Sequence, residues 1–280
     1  MAKFEIKKGI QSALGVGGKK LLDVTFLGIG GAFDTEEGMS SVLLQTRGGK
    51  YFLIDCGYTA YSKLRKWNLV DSIDRVFITH THEDHCSGLS TLVYERFFVH
   101  NAKTIIECHD SVAPRVKQYL DICGHPEEQY EIRIGNVFIE DEEISITKID
   151  TTNDHWPVNS FPNSGLLFHF SVGDDYAVFI YSGDINKPIT NLMPIELYPF
   201  VYQKPENVFI FHDMTSLVHE QNPHTNWRLL VPVKEMFPNL FTYHHNENQV
   251  ALINKENPVM AFTSLVIQGE NFVIEENRGI

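Results

Sequence analysis

Long apolar runs, a basic stripe and paired cysteines are all missing from this 280-residue chain. No window approaches the roughly 18 unbroken apolar residues that a membrane helix needs. Behind the lysines of "MAKFEIKKGIQSALGVGGKK" no continuous apolar segment follows, so a secretory leader is not expected either. Cys56, Cys86, Cys108 and Cys123 lack C-x-x-C spacing. Without a sign of export they are expected as reduced thiols in a cytoplasmic protein. Lys and Arg number 23 against 36 Asp and Glu, a formal net charge of −13, and the main basic cluster (Lys3, Lys7, Lys8, Lys19, Lys20) is confined to the N-terminus. A protein that grips long nucleic acid needs a cation for each phosphate it touches. The scarcity of such cations lowers the expectation of a long RNA or DNA substrate. "GIGGAF" lacks the Gly-Lys-Ser/Thr of a Walker loop and reads as a tight turn. No repeat, low-complexity tract or Gly/Ser-rich linker interrupts the chain, so one domain over residues 1–280 is the simplest expectation.

What is present is 43% hydrophobic residues, enough for one large core or two modest ones. Short β-rich runs recur: "KLLDVTFLGI", "SSVLLQT", "YFLIDC", "RVFIT", "KTIIEC", "EISITKIDTT", "NVFIFHD" and "NLFTYHH". "GLLFHFSVGDDYAVFIYSGD" reads as a hairpin turned at Gly173-Asp174-Asp175, and "VMAFTSLVIQGENFVIEE" as a closing hairpin. Between them, "TAYSKLRKWN", "SGLSTLVYERFFVH", "SVAPRVKQYLDIC" (Pro114 in its first turn) and "TNWRLLVPVKEM" (Thr225 as N-cap) have helical character. Many strands with a few helices in two halves predict an α/β (α+β) fold of two sheets with helices outside.

The densest chemistry lies in "ITHTHEDHCSGL", where His80, His82, Asp84 and His85 follow an apolar strand. Two imidazoles spaced i, i+2 leave a strand end on one side, and the following turn brings Asp84 and His85 back toward them. Neutral imidazole nitrogen and carboxylate oxygen are donors that divalent zinc, manganese or iron accept. A His-rich surface turn is the plain alternative, but the strand before the motif and the helix start after it favour a metal site.

"THTHEDHCSG" resembles the metal-binding loop of the metallo-β-lactamase fold superfamily. The resemblance implies a four-layer αββα sandwich and further ligands along the chain. The third histidine would be His155 in "TTNDHWPVNSFPNSGLLF", and the carboxylate shared by two ions Asp184 in "YSGDINKP". The last histidine would be His244 or His245 in "LFTYHHNEN", with His244 preferred because only one of two adjacent strand residues faces the site. "VFIFHDMTS" is similar to the His-Glu-Ala-Thr stretch of tRNase Z-like enzymes, with Asp213 in place of the glutamate. That likeness implies His212 as general acid and Asp213 as its orienter, a task suited to imidazole near neutral pH. His224 in "NPHTNW" matches another family histidine near a helix start, although Thr225 as a cap already accounts for that position. The implied ligand sets are His80, His82 and His155 for one ion and Asp84, His85 and His244 for the other. Asp84 would also be essential to catalysis.

Among the branches of the superfamily, secreted β-lactamases of the best-known class carry cysteine where Asp184 stands. The stretch from Asp184 to His244 is too short for the extra domain of RNase J-like nucleases. Two phosphodiesterase branches remain. A long basic arm of the kind that clamps tRNA is not found, and the layout looks most like the anti-Pycsar cyclic-nucleotide phosphodiesterases. That resemblance implies hydrolysis of 3′,5′-cyclic nucleotides, cCMP or cUMP among them, to 5′-monophosphates. It also implies two divalent ions (zinc first, manganese or iron next), a homodimer, and the host cytoplasm for a phage-encoded member. "YERFFVH" and "WPVNSF" offer aromatics for a nucleobase. tRNase Z-like 3′ RNA processing is the alternative reading, and a non-catalytic cyclic-nucleotide-binding protein the second.

Overall fold

The computed structural model of the protein describes residues 3–9, 19–34, 36–139, 144–152, 161–216, 223–245 and 271–277. In chain order the elements are β1 (Lys3–Gly9), β2 (Lys19–Gly28), β3 (Ser41–Thr46), β4 (Tyr51–Ile54), α1 (Tyr58–Lys66), β5 (Ile73–Ile78), α2 (Glu83–Cys86), α3 (Leu89–His100), β6 (Thr104–Cys108), α4 (Ala113–Ile122) and β7 (Tyr130–Ile134). They continue with β8 (Val137–Ile139), β9 (Ile144–Asp150), β10 (Ser164–Val172), β11 (Asp175–Tyr181), α5 (Tyr198–Tyr202), β12 (Val208–Asp213), α6 (Trp227–Met236), β13 (Asn239–Tyr243) and β14 (Asn271–Asn277). The chain forms two compact units, one built chiefly on Lys7–Gly135 and the other on Asn136–Val266. No described helix is long and apolar enough to cross a membrane.

An eight-stranded sheet, drawn mostly from the first unit, runs β1-β14-β2-β3-β4-β5-β6-β7. β2, β3 and β4 pair antiparallel, whereas β4, β5, β6 and β7 are parallel. The parallel strands need helical crossovers, which α1, α3 and α4 supply. Leu53, Val76 and Ile106 of the sheet share a core with Leu64 of α1, Leu92 and Val93 of α3, and Val116 and Leu120 of α4. Pro114 lies in the first turn of α4, as expected, where its missing N–H breaks no helical bond. The "GIGGAF" run does turn tightly. Its Ile29 and Gly30 amides donate to the carbonyls of Glu37 and Gly38 at 3.3 and 2.8 Å.

In the second unit six strands run β13-β12-β11-β10-β9-β8. β10 and β11 form the predicted hairpin, with Val172 opposite Asp175, so the turn itself is Gly173-Asp174 and Gly173 takes φ 60°. β11, β12 and β13 are parallel. β12, flanked on both edges, is buried at all six positions, which is why "VFIFHD" carries no outward polar alternation. Phe168, Phe179, Phe211 and Phe241 touch in sequence across β10, β11, β12 and β13, with ring centroids 5.5, 5.3 and 5.1 Å apart. The N-cap of α6 differs from the expectation. Asn226, not Thr225, accepts the Arg228 N–H at 3.0 Å, while the Thr225 hydroxyl donates to the Ile185 carbonyl at 2.7 Å. The four cysteines form no disulfide.

Candidate metal centre

In the first unit the donors gather at the carboxyl ends of the parallel strands β4 and β5. Ile54 lies opposite Phe77 in register, so Asp55, the next residue, sits beside the end of β5. Asp55 holds φ 56°, a left-handed conformation that a non-glycine residue adopts at some cost. Its fully buried carboxylate accepts the Thr79 N–H at 2.8 Å, the Thr79 hydroxyl at 2.8 Å, and the His85 Nδ1–H at 2.8 Å. Burial pushes the Asp55 carboxyl above its ordinary value, while His85 and Thr79 pull it part of the way back.

These bonds set the tautomers. With Nδ1–H given to Asp55, His85 presents Nε2 as an electron-pair donor, 3.5 Å from Asp84 Oδ2. The Thr79 hydroxyl, having donated to Asp55, accepts from His80 Nδ1 at 3.0 Å, so His80 also presents Nε2. That nitrogen meets His82 Nδ1 at 3.1 Å, and the His80 and His85 rings lie 4.1 Å apart. The turn closes tightly because two glycines admit it. A Cβ on Gly57 would stand 2.3 Å from the Asp84 carbonyl oxygen, and one on Gly88 2.7 Å from the Gly57 carbonyl oxygen.

In the second unit the carboxyl ends of β11, β12 and β13 bring Asp184, Asp213 and His244 together. His244 Nε2 is 3.3 Å from Asp184 Oδ2, and His244 takes φ 64°. His224 Nδ1 is 3.0 Å from Asp213 Oδ2 and 3.8 Å from Asp184 Oδ2, and the His224 ring stacks on His244 at 4.2 Å. Ligand atoms of Asp184, Asp213 and His224 all lie within 4.8 Å of one another. The supporting bonds are local: Asn163 Nδ2 donates to the Asp184 carbonyl, Tyr243 OH to the Gly183 carbonyl at 2.9 Å, and the Ile185 N–H to Asp213 Oδ2 at 3.2 Å.

Of the residues expected from the sequence, His80, His82, Asp84 and His85 fall together in the first unit, and Asp184, Asp213 and His244 in the second. His155 lies outside the described residues. His245 directs Nε2 to the Thr242 carbonyl at 3.1 Å, which leaves His244 as the neighbour of Asp184. His212 Nδ1 lies 3.2 Å from Asp213 Oδ1, its expected neighbour, and the His212 ring has two backbone partners besides. Its Nδ1–H donates to the Asp213 backbone carbonyl at 2.7 Å, its Nε2 accepts the Ile189 N–H at 2.9 Å, and its side chain is 0% exposed. Asp213 directs its carboxylate Oδ2 to His224, whose side chain is 21% exposed. Sequence reasoning missed Asp55 and Thr79. Their signal was an aspartate closing "YFLID" and a threonine closing "RVFIT", each ending a parallel strand.

The donor set fits divalent ions. Three buried carboxylates (Asp84, Asp184, Asp213) beside imidazoles are costly without a compensating cation. Nitrogen and carboxylate oxygen are donors that zinc, manganese and iron take, and the hydrogen bonds to Asp55 and Thr79 are the outer support such ligands need.

A family model described as "Anti-Pycsar protein Apyc1" matches residues 22–272. Ribonuclease Z of Haloarcula marismortui is 30% identical over 136 residues, covering 46% of this chain and 43% of that protein. Anti-Pycsar protein Apyc1 of Bacillus phage 010DV004 is 34% identical over 84 residues, covering 29% of this chain and 33% of that protein. These matches span less than half the length of the curated relatives. Among solved structures, the metallo-beta-lactamase fold protein YhfI from Bacillus subtilis superposes with a TM-score of 0.66 at 17% identity, covering 89% of this chain and 98% of that one. The two-sheet α/β chain thus has the metallo-β-lactamase fold that the histidine motif led us to expect.

Proposed function

The chain belongs to the anti-Pycsar protein Apyc1 family, and from that premise we propose that it is a metal-dependent phosphodiesterase that opens 3′,5′-cyclic nucleotides to 5′-monophosphates. The match over residues 22–272 carries the reading. The proposed donors are His80, His82 and His155 for one divalent ion and Asp84, His85 and His244 for a second, with Asp184 shared. Zinc is the first choice, then manganese or iron. Bound there, such ions supply Lewis acidity toward phosphoryl oxygens and lower the pKa of a water.

The chain's own residues orient and protonate. Asp55 and Thr79 hold His85 and His80 with Nε2 outward. We assign the proton donor to His224 rather than His212. A protonated His224 keeps Nδ1–H on Asp213 at 3.0 Å and offers Nε2–H to the departing ribose 3′-oxygen. The Asp213 carboxylate fixes the orientation of the His224 ring. His212 has a backbone partner at each ring nitrogen, and its side chain is fully buried.

A second reading, 3′ processing of RNA, is favoured by the ribonuclease Z relatives. Chromatography of purified protein with 3′,5′-cyclic AMP, GMP, CMP and UMP, and with a precursor tRNA, separates the two. Conversion of cyclic nucleotides to 5′-monophosphates that stops on chelation, with the RNA intact, is the expected result. Trimmed RNA with inert cyclic nucleotides would move the assignment to the second reading. Tight cyclic-nucleotide binding by metal-loaded protein without product would make the protein a sequestering one.

A further inference from the structure

Outside the metal donors, three side chains of the first unit stand in line. Ser90, in the first turn of α3, donates its hydroxyl to His125 Nε2 at 2.8 Å, and His125 Nδ1–H donates to Gln129 Oε1 at 2.7 Å. An amide oxygen only accepts, so it fixes the neutral tautomer that turns a lone pair toward the Ser90 O–H. The backbone holds each member in place. Gly124 takes φ 82° and ends α4, and the His125 N–H donates back to the Leu120 carbonyl at 3.0 Å. Gln129 leads into β7, its carbonyl accepting the Thr104 N–H at 3.1 Å. Tyr94, one turn beyond Ser90 on α3, packs its ring on the imidazole at 3.9 Å and gives its hydroxyl to the Cys123 carbonyl at 3.0 Å. His125 and Gln129 are 3% and 4% exposed, whereas Ser90 is only half-buried. The imidazole and the amide are thus shielded while the hydroxyl stays within reach of a ligand.

A hydroxyl, a base within hydrogen-bond reach and a third group that orients the base are the parts of covalent acyl transfer. We propose that Ser90 is a second reactive centre, a nucleophile toward uncharged carboxylic esters, with His125 as its base and Gln129 as the positioning residue. Ser90 Oγ bonds to the ester carbonyl carbon as its proton passes to His125 Nε2. The bond from that carbon to the alcohol oxygen then breaks, and the proton leaves with the alcohol. Water, activated by the same imidazole, next cleaves the Ser90 ester, releasing the acid and restoring the hydroxyl. Charge developing on the carbonyl oxygen is favoured at the start of α3, a 12-residue helix without a side-chain cap. There the Ser90 and Thr91 amides precede the first helical bond, from the Leu92 N–H to the Gly88 carbonyl. Phe98, 68% exposed, stacks on Tyr94 at 5.9 Å, so Ser90, Tyr94 and Phe98, four positions apart, share one face of α3. That face suits an ester with an apolar acyl or aryl group, and the net charge of −13 disfavours an anionic one. The inference is independent of the proposed metal-dependent activity.

Covalent capture tests this, since a network that only ties α3 to the chain ahead of β7 forms no product. The full, metal-loaded protein is mixed with p-nitrophenyl butyrate, quenched, and mapped by peptide mass spectrometry. A butyryl group on Ser90 is expected, with a burst of p-nitrophenol followed by slower turnover. Ser90→Ala should lose the adduct, and His125→Ala should slow acylation by about 10²–10⁴-fold, the range for loss of a general base. Gln129→Glu sets a carboxylate against Nδ1–H, which favours the imidazolium, so the acid limb of the acylation rate should move to higher pH. A purely structural Gln129 would leave that limb where it is. Circular dichroism checks that the variants fold, and the mapping of unaltered protein does not depend on them. Unaltered protein with no butyryl group on Ser90, an unchanged rate in folded His125→Ala, or an unmoved acid limb in Gln129→Glu would each overturn the proposal.

Discussion

Replacing His212 and His224 separately by alanine should damage the protein in two different ways. His212 is fully buried, and its ring bridges the Ile189 N–H and the Asp213 carbonyl. His212→Ala leaves both backbone groups without that partner where water does not reach. A buried polar group left unsatisfied costs about 1–3 kcal/mol, so the two together cost on the order of 2–6 kcal/mol, read as a lowered urea midpoint. His224 is partly exposed and bonds the Asp213 carboxylate at 3.0 Å. His224→Ala should leave most of the stability and the metal content in place, and lower kcat on a cyclic nucleotide by about 10²–10⁴, the range for loss of a general acid. The defect should shrink on bis(p-nitrophenyl) phosphate, whose leaving group needs little protonation. Equal loss on both substrates, or a kcat defect of that size in folded His212→Ala with His224→Ala unimpaired, would refute the assignment.

Three further outcomes follow from the geometry. Asp55→Asn would turn an N–H toward His85 Nδ1 or Thr79, disturbing the tautomers that present Nε2; chelator competition should show about 10–100-fold weaker metal binding, and unchanged affinity would remove Asp55 from this role. Gly57→Ala sets a Cβ 2.3 Å from the Asp84 carbonyl oxygen, so a loss of about 1–3 kcal/mol is expected in chemical denaturation, with wild-type stability counting against the tight turn. Burial drives the Cys56 thiol far up and the Cys86 thiol up to about 12, so thiolate is scarce at both. An aromatic disulfide reagent at pH 8 should therefore label half-buried Cys123 first and reach the buried thiols only on unfolding; rapid labelling of Cys86 in the native state would contradict this.

Local pattern made much of the fold legible. Hairpin β10–β11, helix α4 with its proline, and the strand leading into His80 are all written in short-range periodicity and turn residues. The linear motif likewise disclosed His80, His82, Asp84 and His85, because a strand end and one helical turn hold all four. Pairings made across strands were not legible. Asp55 reaches His85 across 30 positions, and Asp213 reaches His224, 11 positions away, as well as its neighbour His212. Adjacency in sequence suggested the His212–Asp213 pair, and His212 Nδ1 does lie 3.2 Å from Asp213 Oδ1. The choice between Thr225 and Asn226 as cap failed for a similar reason: Thr225 is held by the Ile185 carbonyl, 40 residues away. The two-residue turn at Gly173-Asp174 was misjudged by only one position.

The most direct test of the proposed centre is elemental analysis of the protein after equilibrium dialysis against zinc and, separately, manganese, alongside Asp184→Ala. The account predicts two ions per unaltered chain and at most one in the variant, since Asp184 is the carboxylate assigned to both. One ion in each protein, or two in each, would contradict the shared-carboxylate centre, and none in either would contradict the metal site itself.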